Sequence, residues 1–453
     1  MKTVYLEELP YSLDSTLLFE RIRDLGSPVF LDSSHPASFS GRFDILTADP
    51  MHEITFNQIN TTSYGDILKY FVDIESTYRN LYGDIQKPSE DIPFCGGAIG
   101  YLSYETGKYL ENINTSVQSP SPAFGSHMAF YSWSVIQDHL RQRCVFVGLP
   151  QLPAEKRRQL LERLRQPAAM TRQPFRLLDN FVSNFDSASY QQAFKKIQRY
   201  ILEGDCYQVN LAQRFQSRFE GDPWAAYLKL RQLAAAPFSA YLEHQGNAIL
   251  SFSPERFISL SGRHVETKPI KGTRARSNHR ESDQLAAREL RNSSKDRAEN
   301  LMIVDLLRND LGKTCNPGSI RVDKLFDIES YPAVHHLVST ISGELNSSAT
   351  AFDLLKSCFP GGSITGAPKH RAMEIIDELE PNQRKLYCGS IAYISADGKM
   401  DSNIAIRTLL CENDDIYCWG GGGIVADSNW QLEYQETFDK VGQLIIALEE
   451  MNT

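Results

Sequence analysis

The sequence predicts an α+β fold in which an antiparallel β-sandwich core is flanked by helices. Three short segments with a strand pattern follow one another at 239–244, 248–252 and 256–260, as in an antiparallel meander. Asp397-Gly398 separates two further apolar segments, and this dipeptide is a strong hairpin signal. Strands grouped with strands, with helices packed outside them, favour α+β over a doubly wound parallel sheet.

Three regions are expected along the 453 residues. Residues 1–150 are predicted to be rich in β-structure, because short apolar runs such as 27–31 and 96–104 alternate with Gly, Pro and Ser. Residues 151–184 are predicted to form a polar connector that contains a short helical pattern. Residues 185–447 hold most of the recognisable motifs.

Helices in the second half of the chain have clear start and stop signals. Asp186 or Ser187 caps a helix whose apolar side chains repeat every three to four residues, and Gly204 ends it. Pro368 opens another helix, which is predicted to run to Leu379. The remaining helices of this half are predicted at 223–235, 283–292, 295–311 and 429–450.

Two further strand predictions concern candidate functional residues. A strand at 207–215 would place Val209 and Gln208 on opposite faces. The Asp397-Gly398 turn is followed by a strand predicted at 401–411, which contains Arg407. Because an unpaired charge on a strand is costly, we expect a carboxylate partner for Arg407, from the protein or from a ligand.

Composition excludes several classes of function. The chain carries 47 Lys and Arg against 56 Asp and Glu, a net charge of −9. A general nucleic-acid or membrane-surface binder is therefore not expected, since either would need a basic face. No membrane span and no signal peptide are expected from the apolar segments. The eight cysteines are scattered without a Cys-x-x-Cys pair, which predicts reduced, mostly buried thiols in a cytoplasmic protein and argues against a zinc site.

Two pairs of carboxylates lie at helical spacing. Asp296 and Glu299 share a face of one predicted helix, and Glu433 and Glu436 share a face of the last helix. If the two pairs converge, they can hold one Mg²⁺, which takes one or two direct carboxylates and keeps water as its other ligands. The alternative is a solvated charged surface.

Lys271 lies between a proline turn and a glycine. An amine there can approach a substrate closely, and a dry, cationic surrounding would lower its pKa and make it a nucleophile. The alternative is a surface lysine in a loop. Two glycine-rich segments, at 359–369 and 420–423, would let a ligand approach backbone amides.

Several long motifs occur together in one order, and together they resemble those of the chorismate-utilising enzymes. The motifs are YQVNLAQR at 207–214, SPERF at 253–257, PIKGT at 269–273, DRAENLM at 296–302, HHLVS at 335–339, GSITGAPK at 362–369 and the segment 421–440. The resemblance is strong over 185–447 and looser over 1–150. It implies the fold of the anthranilate synthase component I type, with 185–447 as the catalytic region that binds chorismate.

The resemblance implies a role for each matching residue. Glu255 would protonate the C4 hydroxyl as it leaves, and Lys271 would attack C2 as a nucleophile. Mg²⁺ would be held by four carboxylates, directly by Glu299 and Glu436 and through water by Asp296 and Glu433. Substrate contacts are implied for Gln208, Thr273, His336, Thr365, Tyr393, Arg407, Gly421, Gly422, Gly423 and Lys440. For His336 the alternatives are orientation of substrate and a hydrogen-bonded core histidine.

Two positions indicate the branch of the family. The resemblance implies that anthranilate synthases carry alanine at the position of Lys271, whereas lysine accompanies amination of chorismate at C4. Isochorismate and salicylate synthases carry a water-activating lysine at the position of Gln208. The expected activity is therefore amination of chorismate to 4-amino-4-deoxychorismate through a covalent Lys271 intermediate, the first committed step of p-aminobenzoate and folate synthesis.

The ammonia is expected from a separate partner. The family implies a glutamine amidotransferase subunit that delivers ammonia, and the chain has no Gly-x-Cys-x-Gly nucleophile turn of its own. A heterodimer is therefore expected, and another enzyme would release pyruvate to give p-aminobenzoate. Two alternatives stay open: an anthranilate synthase component, which Lys271 argues against, and a tryptophan-sensing subunit without catalytic activity.

A second pocket is also implied by the family. It would bind tryptophan through Ser33, Ser40, Arg42, Phe43, Pro237, Phe238 and Ser239. The sequence departs from the common pattern, because Asp32 replaces a glutamate and Gly41 precedes Arg42. The alternative is ordinary core packing of aromatic residues.

Overall fold

The computed structural model describes residues 3–38, 41–56, 63–83, 85, 88, 91–113, 125–167, 173–331 and 334–452. The strands in these ranges are β1 (Tyr5–Leu9), β2 (Val29–Asp32), β3 (Phe43–Thr47), β4 (His52–Phe56), β5 (Gly97–Leu102), β6 (Ser126–Tyr131), β7 (Trp133–Asp138), β8 (Arg143–Gly148), β9 (Arg176–Leu177), β10 (Val182–Ser183), β11 (Gln208–Glu220), β12 (Phe238–His244), β13 (Asn247–Ser253), β14 (Arg256–Ser261), β15 (His264–Thr267), β16 (Ile270–Ala275), β17 (Arg321–Ser330), β18 (Val334–Glu344), β19 (Gly366–Ala367), β20 (Ser390–Ser395), β21 (Met400–Asn403), β22 (Thr408–Glu412) and β23 (Asp415–Ile424).

The helices cover these strands. They are α1 (Thr16–Phe19), α2 (Tyr64–Tyr82), α3 (Tyr104–Leu110), α4 (Ala154–Arg165), α5 (Ser187–Glu203), α6 (Pro223–Ala234), α7 (Arg280–Asn292), α8 (Ser294–Gly312), α9 (Ala351–Cys358), α10 (Lys369–Leu379) and α11 (Trp430–Glu449). Among the described helices, none combines the length and apolar character that a membrane span requires.

The strands form two antiparallel sheets. The first runs in the order β1-β8-β7-β3-β2-β12-β13-β22-β23-β11-β10, with β9 and β19 also paired to β11. The second runs β16-β18-β15-β14-β21-β20-β5-β6-β4, with β17 paired to β18. Both sheets combine strands from the two halves of the chain, since β2 pairs with β12 and β5 pairs with β20. The division into regions at 150 and 185 stays a prediction.

The first sheet is buried on both faces. Val29 and Ile249 belong to a hydrophobic cluster that includes side chains of the second sheet, whereas their neighbours Phe30 and Leu250 belong to a cluster shared with α1, α4, α6 and α11. Because successive strand residues point to opposite faces, this alternation places the sheet between two apolar layers. The predicted α+β fold with a sandwich core is confirmed.

Most helix limits agree with the sequence signals. Asp186 caps α5 through its side chain, and Gly204 ends that helix at φ +86°. Helix α2 is not predicted from the sequence, although Ser63 caps it and its buried side chains follow a helical spacing. The eight cysteines are free and buried, as predicted.

The strand predicted at 401–411 is wrong. Strand β21 ends at Asn403 in the second sheet, and β22 begins at Thr408 in the first. The intervening chain passes between sheets, and Arg407 in it has φ +51°. The segment predicted as one strand therefore contains the end of one strand and the start of another in a different sheet, which periodicity does not reveal.

Candidate active site

Lys271 and Glu255 lie close enough for their charges to act on each other. Lys271 belongs to β16, and Glu255 occupies the link between β13 and β14. The amine of Lys271 donates a hydrogen bond to the carbonyl oxygen of Ser363 at 3.0 Å. Gly272, at φ +84°, lets β16 pass close to α8, since a β-carbon there would lie 2.9 Å from the Asp296 carboxylate. Lys271 and Glu255, the predicted reacting pair, therefore lie beside α8, the helix that carries Asp296 and Glu299.

Glu255 has the electrostatics of a general acid. It is buried, and burial raises the pKa of its carboxyl group to about 6, although the charge of Lys271 and a hydrogen bond from Ser363 act in the opposite direction. A carboxyl group with this pKa is partly protonated near neutral pH, so it can give a proton to a leaving group.

Opposing electrostatic effects act on the pKa of the Lys271 amine. Burial lowers the pKa of its amine, and the nearby positive charge of Lys440 acts in the same direction. The carboxylates of Glu299, Glu255 and Glu436 oppose this shift. The net shift is downward, which favours the neutral, nucleophilic form.

Two carboxylates of α11 face the glycine-rich end of β23, and Glu299 on α8 is close enough for the charge of Glu436 to act on it. Burial raises the pKa of Glu299 on α8 and that of Glu433 on α11, and the charge of Glu436 adds to both shifts. A β-carbon on Gly422 would lie 3.0 Å from Glu433 Oε2 and 3.6 Å from Glu436 Oε1. The Ser428 hydroxyl donates to Glu433 at 2.7 Å. Glycine at 422 therefore leaves the space in front of these carboxylates open.

Cationic side chains already contact two of the four carboxylates. The amine of Lys440 contacts Glu436 at 2.6 Å and the carbonyl oxygen of Gly421 at 2.7 Å. Asp296 accepts from Arg274 at 3.1 Å, which leaves Glu299 as the freer carboxylate of its pair.

The donor set fits Mg²⁺, which prefers hard oxygen ligands and uses one or two carboxylates directly. In the described part of the chain, no three of the predicted carboxylates bring oxygens within 4.8 Å of one another, so two direct ligands are the natural number. The metal itself stays a prediction.

Arg407 has the properties of an anchor for a carboxylate. Its guanidinium is largely buried, and burial lowers its pKa. Within the described ranges, no acidic side chain lies within ion-pair distance of it, although surface and core arginines elsewhere in the chain are paired. A desolvated cation without a protein partner indicates an anionic ligand.

His336 and Thr273 form a pair on adjacent strands. The Thr273 hydroxyl lies 2.8 Å from His336 Nδ1. Burial and the charge of Arg407 lower the pKa of His336 to about 4, so the ring is neutral at physiological pH. Thr365 is buried, and its hydroxyl donates to the carbonyl oxygen of Gly361 at 3.1 Å. Their predicted substrate contacts remain predictions.

Tyr393 is placed away from the glycine-rich strand. It lines the cavity formed by the predicted tryptophan-binding residues, and its ring packs edge-on against that of Phe94, with 5.7 Å between the ring centroids. The hydroxyl that borders Gly421 belongs to Tyr387, 2.9 Å from where a β-carbon of that glycine would stand. Tyr387 is therefore the tyrosine that sequence reasoning missed; its position 20 residues before Arg407 offers no local signal.

Gln208 lies beside Gly423, on the face of β23 opposite to the Glu433 carboxylate. It is buried on β11, and a β-carbon on Gly423 would lie 2.2 Å from Gln208 Nε2. Its Oε1 has no hydrogen-bond partner among the described residues. A buried polar atom left unsatisfied beside Gly423 is consistent with a ligand-facing position.

The predicted tryptophan-binding residues lie around one cavity of about 460 Å³. Those that line it are Ser33, Arg42, Phe43, Pro237, Phe238 and Ser239. Ser40 lies outside the described residues. Asp32 stands where the family pattern has glutamate. Its carboxylate pairs with Arg231 at 2.7 Å, so this shorter acidic side chain has a partner within the protein. Occupancy by tryptophan stays a prediction.

The two sheets present a partly buried amine, a buried carboxylic acid and an arginine that has no acidic partner within the described ranges, and two helices add carboxylates. Such a combination defines an enzyme site for a small anionic substrate. The chain belongs to the family of chorismate binding enzymes, which it matches over residues 28–445. It is a chorismate-utilising enzyme.

Individual relatives extend over nearly the whole chain. Aminodeoxychorismate synthase component 1 of Salmonella typhimurium is 46% identical, across 92% of this chain and 91% of the relative. The protein of the same name from Escherichia coli is 43% identical, across 95% of each. The crystal structure of anthranilate synthase component I from Streptococcus pneumoniae is similar with a TM-score of 0.76 at 31% identity, covering 90% of this chain and 93% of that one.

Proposed function

We propose that this enzyme aminates chorismate at C4 to give 4-amino-4-deoxychorismate and water, with ammonia from a separate glutamine amidotransferase subunit. The names of the relatives support amination of chorismate and a second component. The observation that carries the proposal is the pair of the partly buried Lys271 and the buried Glu255, in which the amine has a lowered pKa and the acid has a raised one. Opposite shifts of this kind separate a nucleophile from a general acid.

Substrate binding follows from charge. Chorismate carries two carboxylates, and Arg407 is a desolvated cation that would take the enolpyruvyl carboxylate. The Gly421–Gly423 segment would border it, with Lys440 and the Tyr387 hydroxyl on either side of Gly421. Thr365 and the Thr273–His336 pair would contact the remaining substrate oxygens.

Glu299 and Glu436 would hold Mg²⁺ directly, and Asp296 and Glu433 would act through water. When bound, the cation would neutralise and orient the ring carboxylate of chorismate. Asp296 and Glu433 already make hydrogen bonds to Arg274 and Ser428, and Lys440 would have to turn away from Glu436 for that carboxylate to hold the ion directly.

The first chemical step forms a bond between Lys271 and the substrate. The neutral amine attacks C2, the two ring double bonds shift, and the C4 hydroxyl leaves as water with the proton of Glu255. The new ammonium then returns a proton to the Glu255 carboxylate, which restores the acid. Glu255 is suited to both transfers because its pKa of about 6 lies close to neutral pH.

The second step reverses the first at a different carbon. Ammonia attacks C4, the double bonds shift back, and Lys271 leaves as a neutral amine after it receives the proton of Glu255. The ammonium at C4 then gives its extra proton to Glu255. Gln208, an amide, cannot act as a base for water at this site, so ammonia is the nucleophile that completes the reaction.

Product identity with ammonia as the nitrogen source tests the proposal. The protein is incubated with chorismate, ammonium and MgCl₂, and products are resolved by mass, beside Lys271→Ala and the exposed control Lys324→Ala. We expect aminodeoxychorismate from the wild type and from Lys324→Ala, and none from Lys271→Ala. Anthranilate as the wild-type product would instead establish the alternative branch. Tryptophan binding by calorimetry without turnover of chorismate would establish a binding subunit.

The proposal also includes a glutaminase partner, a tryptophan ligand and a cytoplasmic location. A glutaminase added with glutamine should replace ammonium only if it forms a complex with this chain, which gel filtration can detect. The second cavity would hold tryptophan, and the cytoplasmic location stays a prediction.

A further inference from the structure

A cluster of metal-binding side chains lies outside the active site. Glu53 on β4, His127 on β6 and His244 at the end of β12 each offer one donor atom, and these atoms lie within 4.8 Å of one another. Strands β4 and β6 belong to the second sheet, whereas β12 belongs to the first. The cluster therefore joins the two layers of the sandwich at the edge strand β4.

The distances suit a single central ion. Glu53 Oε1 lies 3.6 Å from His127 Nε2 and 3.6 Å from His244 Nδ1. Donor atoms in a tetrahedral zinc site with bonds of about 2.1 Å are about 3.4 Å apart, so only small movements are needed. Both histidines also line a cavity of about 10 Å³, which is about the space that one water-sized particle occupies.

The hydrogen bonds leave the imidazole nitrogens available. Thr55 Oγ1 lies 3.1 Å from His127 Nδ1, so a proton held there leaves Nε2 free to act as a ligand. His244 would bind through Nδ1, which faces Glu53, and its Nε2, which is buried without a hydrogen-bond partner in the described part of the chain, would carry the proton. Its Nδ1 lies 3.4 Å from the Ser27 hydroxyl, which also donates to Glu53.

We propose that Glu53, His127 and His244 bind a divalent first-row transition metal of the zinc class, with water as the fourth ligand, and that this ion ties the two sheets together. Two imidazoles and one carboxylate form a recognised zinc donor set. The cysteine pattern argues against a zinc site, but it does not bear on this one because none of the three ligands is a cysteine and they come from segments far apart in the sequence.

The rings of His127 and His244 are stacked at 3.9 Å between centroids, and they must rotate slightly for both lone pairs to meet one ion.

Metal titration of the full chain tests this site separately from catalysis. Protein freed of metal by dialysis against chelator is titrated with ZnCl₂ by calorimetry, in excess MgCl₂ to keep the active-site carboxylates occupied. We expect one zinc per chain in the wild type and in His52→Asn, an exposed histidine on the same strand β4. Affinity should fall about tenfold or more in His244→Gln and in Glu53→Gln.

Cobalt gives a second readout that does not depend on activity. CoCl₂ should produce the intense visible bands of a four-coordinate ion in the wild type, and these should be lost in both variants. Glu53→Gln alters a partly exposed side chain, so it keeps the test valid if His244→Gln does not fold. Absence of zinc binding, equal affinity in the variants, or only the weak spectrum of six-coordinate cobalt would overturn the proposal.

Discussion

Replacement of Glu255 by glutamine should make the protein more stable and inactive. The pKa of this carboxyl group rises from 4.5 to about 6 because the group is buried. That difference corresponds to about 2 kcal/mol between the two protonation states. Glutamine keeps the shape and an oxygen that accepts hydrogen bonds from Ser363 and the Ile270 amide, but it carries no charge that burial can penalise.

The gain in stability depends on pH in a defined direction. In the unfolded chain Glu255 loses its proton near pH 4.5, whereas in the folded protein it does so at about 6. The wild type therefore loses stability as the pH rises through this interval, and the loss persists above it. Linkage gives an advantage to the glutamine variant of about 0.8 kcal/mol at about pH 5 and about 2 kcal/mol at about pH 8.

Urea unfolding followed by tryptophan fluorescence at the two pH values measures this difference. Glu344→Gln, at an exposed strand end, is the matched control and should show no such pH dependence. Turnover measured on the same samples should fall about 10²- to 10⁴-fold for Glu255→Gln, since the proton donor is lost. A variant that is destabilised at pH 8, or whose stability differs from wild type equally at both pH values, would refute the assignment of a buried, proton-carrying acid.

Three further predictions concern the surroundings of this acid. Gly422→Ala should weaken the activation by Mg²⁺ about tenfold or more, because the added carbon would lie 3.0 Å from Glu433, whereas Gly442→Ala has open space and should not; titration of turnover with MgCl₂ distinguishes them. Arg407→Gln should raise KM for chorismate roughly 30-fold, about 2 kcal/mol, with no loss of stability in thermal unfolding, since no protein carboxylate within the described ranges depends on it. His336→Asn should leave the shape of the pH–rate profile unchanged between about pH 6 and about pH 9, because a ring with a pKa of about 4 is neutral throughout; a lost limb in the profile would contradict this.

The parts of the fold that follow from local chemistry could be predicted. Asp186, Gly204, Pro368 and Asn429 mark helix ends by capping or by backbone preference, and all four helix limits lie within a residue of the signal. The pairing of carboxylates at three-residue spacing likewise depends only on helix geometry. These features need no knowledge of the partner elements.

Features that depend on contacts between residues far apart in the sequence could not be predicted from the local sequence pattern. Residues 401–411 read as one strand because the apolar residues at 404–406 and 409–411 are separated only by Arg407 and Thr408, yet the chain changes sheets near Arg407. Tyr393 and Tyr387 both belong to an apolar segment before that turn, and only the packing of β23 shows that Tyr387 borders Gly421. The assembly of Glu53 with His127 and His244 depends on two sheets meeting, which sequence spacing cannot express.

Positions that break ordinary rules of burial occur in the site, and the described residues hold others outside it, such as Tyr70 and Trp133. Gln208 and Asn300 each leave a buried polar atom without a partner among the described residues, and Arg407 leaves a desolvated charge. Each buried polar group without a partner costs about 1–3 kcal/mol. A sheet buried on both faces supplies enough apolar contact to tolerate several such costs. A ligand carboxylate that pairs with Arg407 would recover part of this free energy, so the burial of this cation contributes to tight binding of an anion.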